Sequence, residues 1–348
     1  MEFSEDSGKR NFASWFVKSW RTRPLFSTGV VLAVMVILQT LALGFDFPSF
    51  GDWLVRWLMN WNNILRNNAG IGIISLGMTF VIISGGIDLA VGSTLVAIGA
   101  VVMVLIDAGP NGVLLKMGIT GVPAYIIAIA AGVAFGAILG EITGLLVTKG
   151  KLPPFIATLG TMKICRSVTQ HFMQGYTPQV PKGFLQIASF PIAGQLVMPI
   201  LYWFFFAVIF YIISKRTAFG RQVTAVGSNE RAARLSGVNV QRVKRMVYTL
   251  IGVMVSFSAI LQVSRIGSMD YANAGSGNEM DAISAVIVGG TSMMGGRGFI
   301  LGTVFGTLII AVMNNLLNLL GVPPFLREAF KGVIVIGAVL LQKRESAS

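Results

Sequence analysis

Apolar residues fill long stretches of this chain, and short polar, glycine or proline breaks separate one stretch from the next. A run of about 18–25 apolar residues is long enough to cross a hydrocarbon layer of about 30 Å as a helix that rises 1.5 Å per residue. The strands of a transmembrane barrel would instead place a polar residue at every second position. The pattern therefore predicts an all-α, polytopic membrane protein.

The breaks divide the apolar stretches into about ten candidate spans. They cover residues 25–44, 64–84, 89–106, 123–148, 154–172, 197–213, 246–264, 281–294, 298–319 and 327–342. The weakest is 281–294, which is too short to cross alone and is predicted to be a tilted or broken helix that meets its neighbour near Gly295. A count of nine or eleven stays open. Residues 25–342 are predicted to form one transmembrane domain between two short tails, 1–24 and 343–348.

Composition and charge refine this picture. Glycine supplies 41 of the 348 residues, well above the usual frequency of about 7%, which suits close helix packing in lipid. Lys and Arg number 27 against 14 Asp and Glu, a net charge of +13. Most of these basic residues fall in the N-terminal tail and in alternate loops, so the positive-inside rule predicts that both termini are cytoplasmic. This topology explains the charge without a nucleic-acid partner.

Redox and cofactor chemistry have little support in the sequence. The single cysteine, Cys165, permits no intramolecular disulfide, and the single histidine, His171, forms no cluster for zinc or haem. Neither a metal nor a cofactor is predicted. Charged residues precede the first apolar run, so no cleavable signal peptide is expected, and the first span is expected to direct insertion into the membrane.

The longest polar segment is the predicted cytoplasmic loop 214–245. Ser228 is predicted to cap a short helix that runs to Leu235 and breaks at Gly237. Alanine and leucine on one side of this helix, with arginine on the other, allow two roles. The helix docks into a groove of a cytoplasmic partner, or it rests on anionic lipid, and composition alone favours neither.

Five segments share the order and spacing of signature segments in a known family. They are SLGMTFVIISGGIDLAVGSTLVAIGA at 75–100, PPFIATLGTM at 153–162, FGRQVTAVGSNERAARLSGVNV at 219–240, GNEMDAISAVIVGGTSMMGGRG at 277–298 and NNLLNLLGV at 314–322. Over about residues 62–342, the chain resembles the permeases of ribose-type ABC transporters, the membrane subunits of bacterial importers for ribose, xylose, arabinose and galactosides. One such segment would be weak evidence, whereas five in order are specific.

The resemblance implies a fold and a set of partners. The fold is that of the ribose/vitamin-B12-type, or type II, ABC importer permease, with about ten helices in the bacterial inner membrane. The partners are a second permease subunit, identical or not, two ATP-binding subunits and an extracytoplasmic binding protein that delivers a sugar. The chain has no G-x-x-x-x-G-K-[ST] motif, which agrees with ATP hydrolysis in another subunit.

The resemblance also implies that loop 214–245 couples the chain to the ATP-binding subunits, which favours the docking role of its short helix. The residues expected to carry this coupling are Phe219, Gly220, Gly227, Asn229, Glu230, Ala233, Arg234 and Gly237.

The first signature segment contains a turn with one acid, Asp88, among Gly85, Gly86 and Gly92. A carboxylate at a helix start accepts backbone N–H groups and is favoured by the helix dipole. The alternative is a proton or ion site, because acids inside membranes are functional candidates. The position of Asp88 near the cytoplasmic face, together with energy coupling by ATP in another subunit, favours the capping role.

Two opposite charges lie inside adjacent predicted spans, and the family pattern does not explain them. Glu141 lies about seven residues from the end of its span and Lys163 about nine residues from the start of the next, which gives depths of roughly 10 and 14 Å. The two are predicted either to form an ion pair, or to snorkel or face a wet pathway separately.

Polar residues in the spans are candidates for the wall of a pathway. Thr143 stands where similar permeases usually have Asn, while Arg166 and Gln170 belong to a polar stripe. Asn314 and Asn318 share a helix face, and they either line the pathway or hydrogen-bond a neighbouring helix.

The leading interpretation is a transport subunit without catalytic residues of its own. One rival is an ion-coupled secondary transporter, in which Asp88 and Glu141 would be coupling sites and loop 214–245 would have no assigned role. A second rival is an ABC permease for a nonsugar solute such as a nucleoside or an autoinducer. An intramembrane serine hydrolase is disfavoured, because the chain has a single histidine and no suitably placed serine motif.

Overall fold

The computed structural model describes residues 24–336 apart from positions 46, 193, 324, 325, 334 and 335. Thirteen helices have defined bounds within the described residues. They are α1 Pro24–Leu43, α2 Phe50–Ile83, α3 Val91–Ile106, α4 Val113–Lys116, α5 Gly121–Thr148, α6 Pro154–Met173, α7 Lys182–Ser189, α8 Met198–Arg216, α9 Ala218–Ser228, α10 Glu230–Leu235, α11 Val240–Ile266, α12 Asn278–Val288 and α13 Ile300–Leu319. A further helical stretch occupies 326–333. The two predicted tails, apart from Pro24, and half of the last predicted span lie outside the described residues.

Six of these helices are long and apolar enough to cross a membrane, namely α1, α2, α5, α8, α11 and α13. An all-helical protein with several membrane crossings is therefore confirmed. The helix α3 is apolar but has only 16 residues. The helix α12 has 11 residues and ends at Val288, so the predicted span 281–294 is helical only in its first half.

The helix α2 departs most from its predicted span, because it begins at Phe50 rather than near residue 64. Its first turns carry indole rings that form hydrogen bonds with the last turn of α1 and with the residue that follows α1. The N–H groups of Trp53 and Trp57 donate to Gly44 O and Thr40 Oγ1, each at 3.0 Å. These early turns also hold polar residues that lower the local hydropathy. A span predicted from apolar runs therefore begins later than the helix does.

The bundle has two ends that are distinguished by their loops. The helices α9 and α10 lie at one end, where α11 also starts before it extends about 40 Å over its 27 residues. This is called the basic end. The far end carries α7 and the loop 268–277, which follows α11.

The helices α5 and α11 approach each other closely, because glycines face each other at their crossing. A Cβ atom on Gly136, Gly140 or Gly252 would lie within 3.0 Å of a backbone oxygen of the opposite helix. The helix α11 also contributes Tyr248 and Ile251 to the buried core that it shares with α2 and α3. The crossing of α5 and α11 therefore depends on glycine at positions 136, 140 and 252.

Candidate functional site

The loop 214–245 folds into two short helices joined by a tight turn. Asn229, in extended backbone, caps α10 by accepting a hydrogen bond from the Ala232 N–H at 2.9 Å. The prediction that Ser228 caps this helix is wrong. Ser228 is the last residue of α9, and its hydroxyl donates to Thr224 O at 2.9 Å, so it extends the first helix instead of starting the second. The second helix ends before Gly237, whose φ is +82°.

The helix α10 presents a mixed surface at the basic end. Ala233 is buried and holds the helix against its neighbours, whereas the Leu235 side chain is 83% exposed. Glu230 forms ion pairs with Arg234 at 3.3 Å and with Lys244 at 2.6 Å, all partly or largely exposed. Exposed ion pairs contribute little to stability. These charges and the exposed Leu235 side chain are therefore available to a partner.

The helix α9 rests directly on backbone at the basic end. A Cβ on Gly227 would lie within 3.0 Å of both Ile83 O and Gly296 N. Those two atoms already form a hydrogen bond of 2.8 Å between the end of α2 and the loop 289–299. Glycine is needed at 227 because this contact leaves no room for a side chain. We call this contact the α9 seat.

The start of α9 is held in the same manner. Phe219 stacks on Phe80 of α2, with ring centroids 5.8 Å apart. A Cβ on Gly220 would lie within 3.0 Å of the carbonyls of Ile213 and Ser214 at the end of α8. The helix α9 is therefore in direct contact with α2, α8 and the loop 289–299.

The turn between α2 and α3 is built around a buried acid. Asp88 is 6% exposed, and its Oδ1 accepts a hydrogen bond of 2.8 Å from the Ala90 N–H at the start of α3. No basic side chain among the described residues pairs with this carboxylate. The neighbouring glycines serve close approach: Gly86 abuts Tyr248 Oη, and Gly92 abuts Gly275 O. A further glycine of the turn, Gly85, has a φ of +81°.

The predicted ion pair between Glu141 and Lys163 is wrong. Glu141 of α5 pairs with the Arg245 guanidinium of α11 and accepts a hydrogen bond of 2.9 Å from Thr249 Oγ1. The prediction assumed that the next helix in sequence, α6, is the nearest charged neighbour. The glycine crossing instead brings α11 against this face of α5.

Exchanging the charges of Glu141 and Arg245 is expected to restore what each single reversal loses. Either reversal leaves two like charges together at the helix crossing, a cost on the order of 1–3 kcal/mol because both side chains are about a third exposed. The double variant Glu141→Arg with Arg245→Glu rebuilds the pair. Thermal unfolding of the purified chain measures the effect. A double variant as unstable as the singles, or rescue of Glu141→Lys by Lys163→Glu, would contradict this pairing.

The helix α6 has an exposed polar face. Three of its residues lie at spacings of four and three, which places them on one line along the helix, and a fourth polar residue, Gln174, follows directly after the helix end. We call this line the polar ladder; it consists of Lys163, Ser167, Gln170 and Gln174. An apolar exposed edge runs beside it through Ile164, Val168 and Phe172. No acid among the described residues lies within ion-pair distance of Lys163. Lys163 is exposed, and the alternative, that it snorkels or faces a wet pathway by itself, stays a prediction.

A wide, open cavity of about 520 Å³, with both polar and apolar lining, lies at the far end of the ladder. We call it the far cavity. One wall is α6 and the other is the loop 268–277. Its polar and aromatic lining consists of Ser167, Gln170, His171, Gln174, Asp270 and Tyr271.

Arg166 holds the two walls of the far cavity together. Its Nη1 donates to Ala274 O at 2.7 Å and to Tyr271 O at 3.2 Å. Arg166 thus shapes the cavity from behind, while the predicted pathway residue Gln170 faces into it. Thr143 lies elsewhere: it is 3% exposed and sits between α5 and α6, with its hydroxyl 3.4 Å from that of Thr161.

The predicted asparagine face of α13 makes contacts within the protein. Asn318 Oδ1 accepts a hydrogen bond of 2.9 Å from Arg327 of the stretch 326–333. Its neighbour Asn315, rather than Asn314, exchanges side-chain hydrogen bonds with Asn60 of α2. Asn314 itself is half-buried. This face therefore serves helix packing more directly than a pathway.

The chain has a sequence relationship to known transport proteins over most of its length. A family model described as "Branched-chain amino acid transport system / permease component" matches residues 60–339. The ribose import permease protein of Escherichia coli K12 is 37% identical over 97% of this chain and 98% of its own length. The corresponding Bacillus subtilis 168 protein is 42% identical over 86% and 88%. A galactose/methyl galactoside import permease protein of Haemophilus influenzae is 32% identical over 93% and 96%. No solved structure matches the chain.

Proposed function

Because this chain belongs to the family of branched-chain amino acid transport system permease components, and is thus a membrane transport subunit and not an enzyme, we propose that it carries a neutral sugar as part of an ABC importer. The sugar is of the ribose or galactose kind, since the relatives that match nearly the whole chain are import permeases for those sugars. A subunit of this kind acts with an ATPase and a binding protein.

The proposed topology has ten crossings in the bacterial inner membrane, with both termini in the cytoplasm. Six come from the long apolar helices. The other four are α3, α6, α12 and the span that begins in the stretch 326–333. The excess of basic residues at the basic end supports placing that end in the cytoplasm. Residues 25–342 then form one transmembrane domain with the tails 1–24 and 343–348.

The polar ladder carries the proposal that α6 lines the transport pathway. Hydrocarbon offers no partner to an ammonium, a hydroxyl or an amide, and a charged side chain at the bilayer centre costs at least about 2.5–3.5 kcal/mol. A ladder of four exposed polar residues, three on α6 and one directly after it, is therefore placed against water. A second permease subunit, identical or not, would enclose that water between two such faces, while the apolar edge of α6 meets the partner or lipid.

The helices α9 and α10 are the proposed contact with two ATP-binding subunits. Leu235 and the charges around it form the docking surface, and the α9 seat passes the resulting movement to α2 and the loop 289–299. In this proposal α2, α9 and the loop 289–299 have two arrangements, one for each side of the membrane to which the pathway opens. Alternating access follows when the two arrangements bind the nucleotide-dependent states of the ATPase with different affinity.

Leu235→Asp is expected to weaken binding of the ATPase by about 10- to 100-fold, because a leucine buried on docking contributes about 1.5–3 kcal/mol. The side chain is 83% exposed, so the permease itself should fold normally. Co-purification of the ATPase with the tagged permease measures this. Met117→Asp, at an apolar residue that is 66% exposed at the far end, is the matched control and should keep the ATPase. Equal co-purification of both variants would contradict the docking surface.

Uptake by the reconstituted importer tests the proposed function. Proteoliposomes that contain the permease, its ATPase and its binding protein should accumulate labelled D-ribose or D-galactose only when ATP reaches the ATPase. Uptake that follows an ion gradient without ATP would support the secondary transporter instead. Accumulation of leucine and of neither sugar would overturn the sugar assignment while leaving the chain an ABC permease.

A further inference from the structure

The far cavity has the dimensions and the chemistry of a small-molecule site. Its volume of about 520 Å³ falls within the range of about 300–1,000 Å³ that is typical of ligand pockets. It also lies at the far end of the polar ladder, which the proposed topology places outside the cell. A solute that leaves an extracytoplasmic binding protein would meet this cavity first.

The loop wall of the cavity is held in place without a ligand. Arg166 binds two of its carbonyls from α6, at Tyr271 and Ala274. Asp270 accepts hydrogen bonds from the Ala272 N–H at 2.9 Å and from Asn273 Nδ2 at 2.8 Å. The hydrogen bond from the Asn273 side chain, helped by the Ala272 N–H, holds the pKa of Asp270 below its usual value. The cavity thus presents a fixed, ionised carboxylate at neutral pH.

A second anchor holds the chain that follows α6. Asp107, at the end of α3, accepts hydrogen bonds from the Tyr176 hydroxyl and, at 2.7 Å, from the Gln179 N–H. Burial raises the pKa of Asp107, but these hydrogen bonds outweigh it and leave that pKa below its usual value. Gln174 stands two residues before Tyr176, so its backbone is fixed close to this anchor.

The helix wall offers hydrogen-bonding groups that the protein does not use. No hydrogen bond from another described residue reaches the side chains of Ser167, Gln170 or Gln174, and all three are exposed. The amides of Gln170 and Gln174 line the same cavity as the Asp270 carboxylate. Amides both donate and accept, and a carboxylate accepts from two hydroxyls.

We propose that the far cavity is a low-affinity sugar site of the permease, in which Gln170 and Gln174 and the Asp270 carboxylate bind the hydroxyls of a monosaccharide. The proposal rests on the function proposed above and names the place where the permease itself first binds that solute. A branched aliphatic amino acid fits this cavity poorly, because it needs an apolar pocket, and the lining offers only Met173 and Ala272 as aliphatic surface.

Direct binding to the permease in lipid nanodiscs, without the binding protein, tests the site. Saturation-transfer difference NMR with D-ribose and D-galactose as probes should give signals with the wild-type chain. The double variant Gln170→Leu with Gln174→Leu should reduce them about fivefold to tenfold, as expected when two sugar hydrogen bonds are lost. Leucine as a probe should give none. Ser268→Ala, at an exposed residue of the same loop that does not line the cavity, should behave as the wild type.

Two outcomes overturn the site. Either sugar signals survive in the double variant at wild-type strength, or the wild-type permease shows none while the complete importer still accumulates the sugar. The second result would leave the proposed function intact. If the complete importer accumulates no sugar, the function itself fails. Thermal unfolding of the double variant checks that the exposed substitutions leave the fold unchanged.

Discussion

Gly252→Val in α11 is expected to abolish recovery of correctly folded protein. The added Cβ would lie within 3.0 Å of Gly136 O and 3.2 Å from Gly140 Cα. Both atoms belong to the backbone of α5, so no side chain can rotate away, and the two helices would have to separate. Overpacking alone costs about 1–3 kcal/mol. Separation also removes the contacts of Tyr248 and the pairing of Glu141 with Arg245, and the sum approaches the whole stability of about 5–15 kcal/mol.

The yield of monodisperse protein after extraction in mild detergent measures this effect. Gly29→Val in α1 is the matched control, because a Cβ at Gly29 meets no atom within 4 Å. The control should be recovered in wild-type amounts, although it places the same β-branched residue in a helix. Wild-type recovery of Gly252→Val would show that α5 and α11 do not cross at this glycine.

Gly227→Val should leave an inserted permease whose import no longer follows ATP hydrolysis. The residue lies in the α9 seat, away from the crossing of α5 and α11, so we expect the bundle to fold. A Cβ there would overlap Ile83 O and Gly296 N, and α9 must lift away from the end of α2 and the loop 289–299. Movements of the ATPase would then stop at α9. We expect sugar uptake per ATP hydrolysed to fall at least about tenfold, the loss of roughly 1.4 kcal/mol of coupling.

Proteoliposomes of the complete importer provide both quantities, ATP hydrolysis and sugar accumulation, from one preparation. Ala225→Val, at an exposed residue of the same helix, adds similar volume without entering the seat and should preserve the ratio of uptake to hydrolysis. If Gly227→Val keeps the wild-type ratio, transmission does not run through this seat. If it fails to insert, the seat belongs to the folding core and the expectation is wrong.

Much of the helical framework could be predicted from hydrophobic runs alone. The predicted span 123–148 nearly coincides with α5, and 298–319 with α13. The errors occur where polar residues belong to a helix. The first turns of α2 and of α11 carry tryptophan, asparagine, arginine and lysine, so the apolar runs begin later than the helices do. Hydropathy detects the part of a helix that lipid surrounds, not the part that extends beyond it.

The pairing of helices that are far apart in the sequence could not be predicted from the sequence. Glu141 has a candidate partner in the next helix of the sequence, at Lys163, yet its actual partner, Arg245, is 104 residues away. The i, i+4 spacing of Gly136 and Gly140 was a signal for the close crossing that makes this possible. The spacing of Lys163, Ser167 and Gln170 likewise shows that they share a face. It does not show whether that face is buried, which depends on the packing of the other helices.

The exposed Leu235 could have been found from its position at the end of a short charged helix, because a lone leucine in a polar loop has no core to join. The α9 seat could not, since no pattern in the sequence shows that Gly227 lies against the backbone of residue 83. Contacts of this kind depend on backbone atoms that every residue carries, and only the fold brings them together.

The single cysteine of the chain has a practical consequence for spectroscopy. Cys165 is buried on the inner side of α6, beside Thr94 of α3. A thiol-reactive spin label or fluorophore applied to the folded protein should leave it unmodified, so the native sequence can serve as an unlabelled background. A cysteine placed at Ser167, two residues further along the same helix but on the opposite, exposed side, would then carry the only label. The distance between two such labels in a permease pair would report how wide the space between the subunits becomes during one transport cycle.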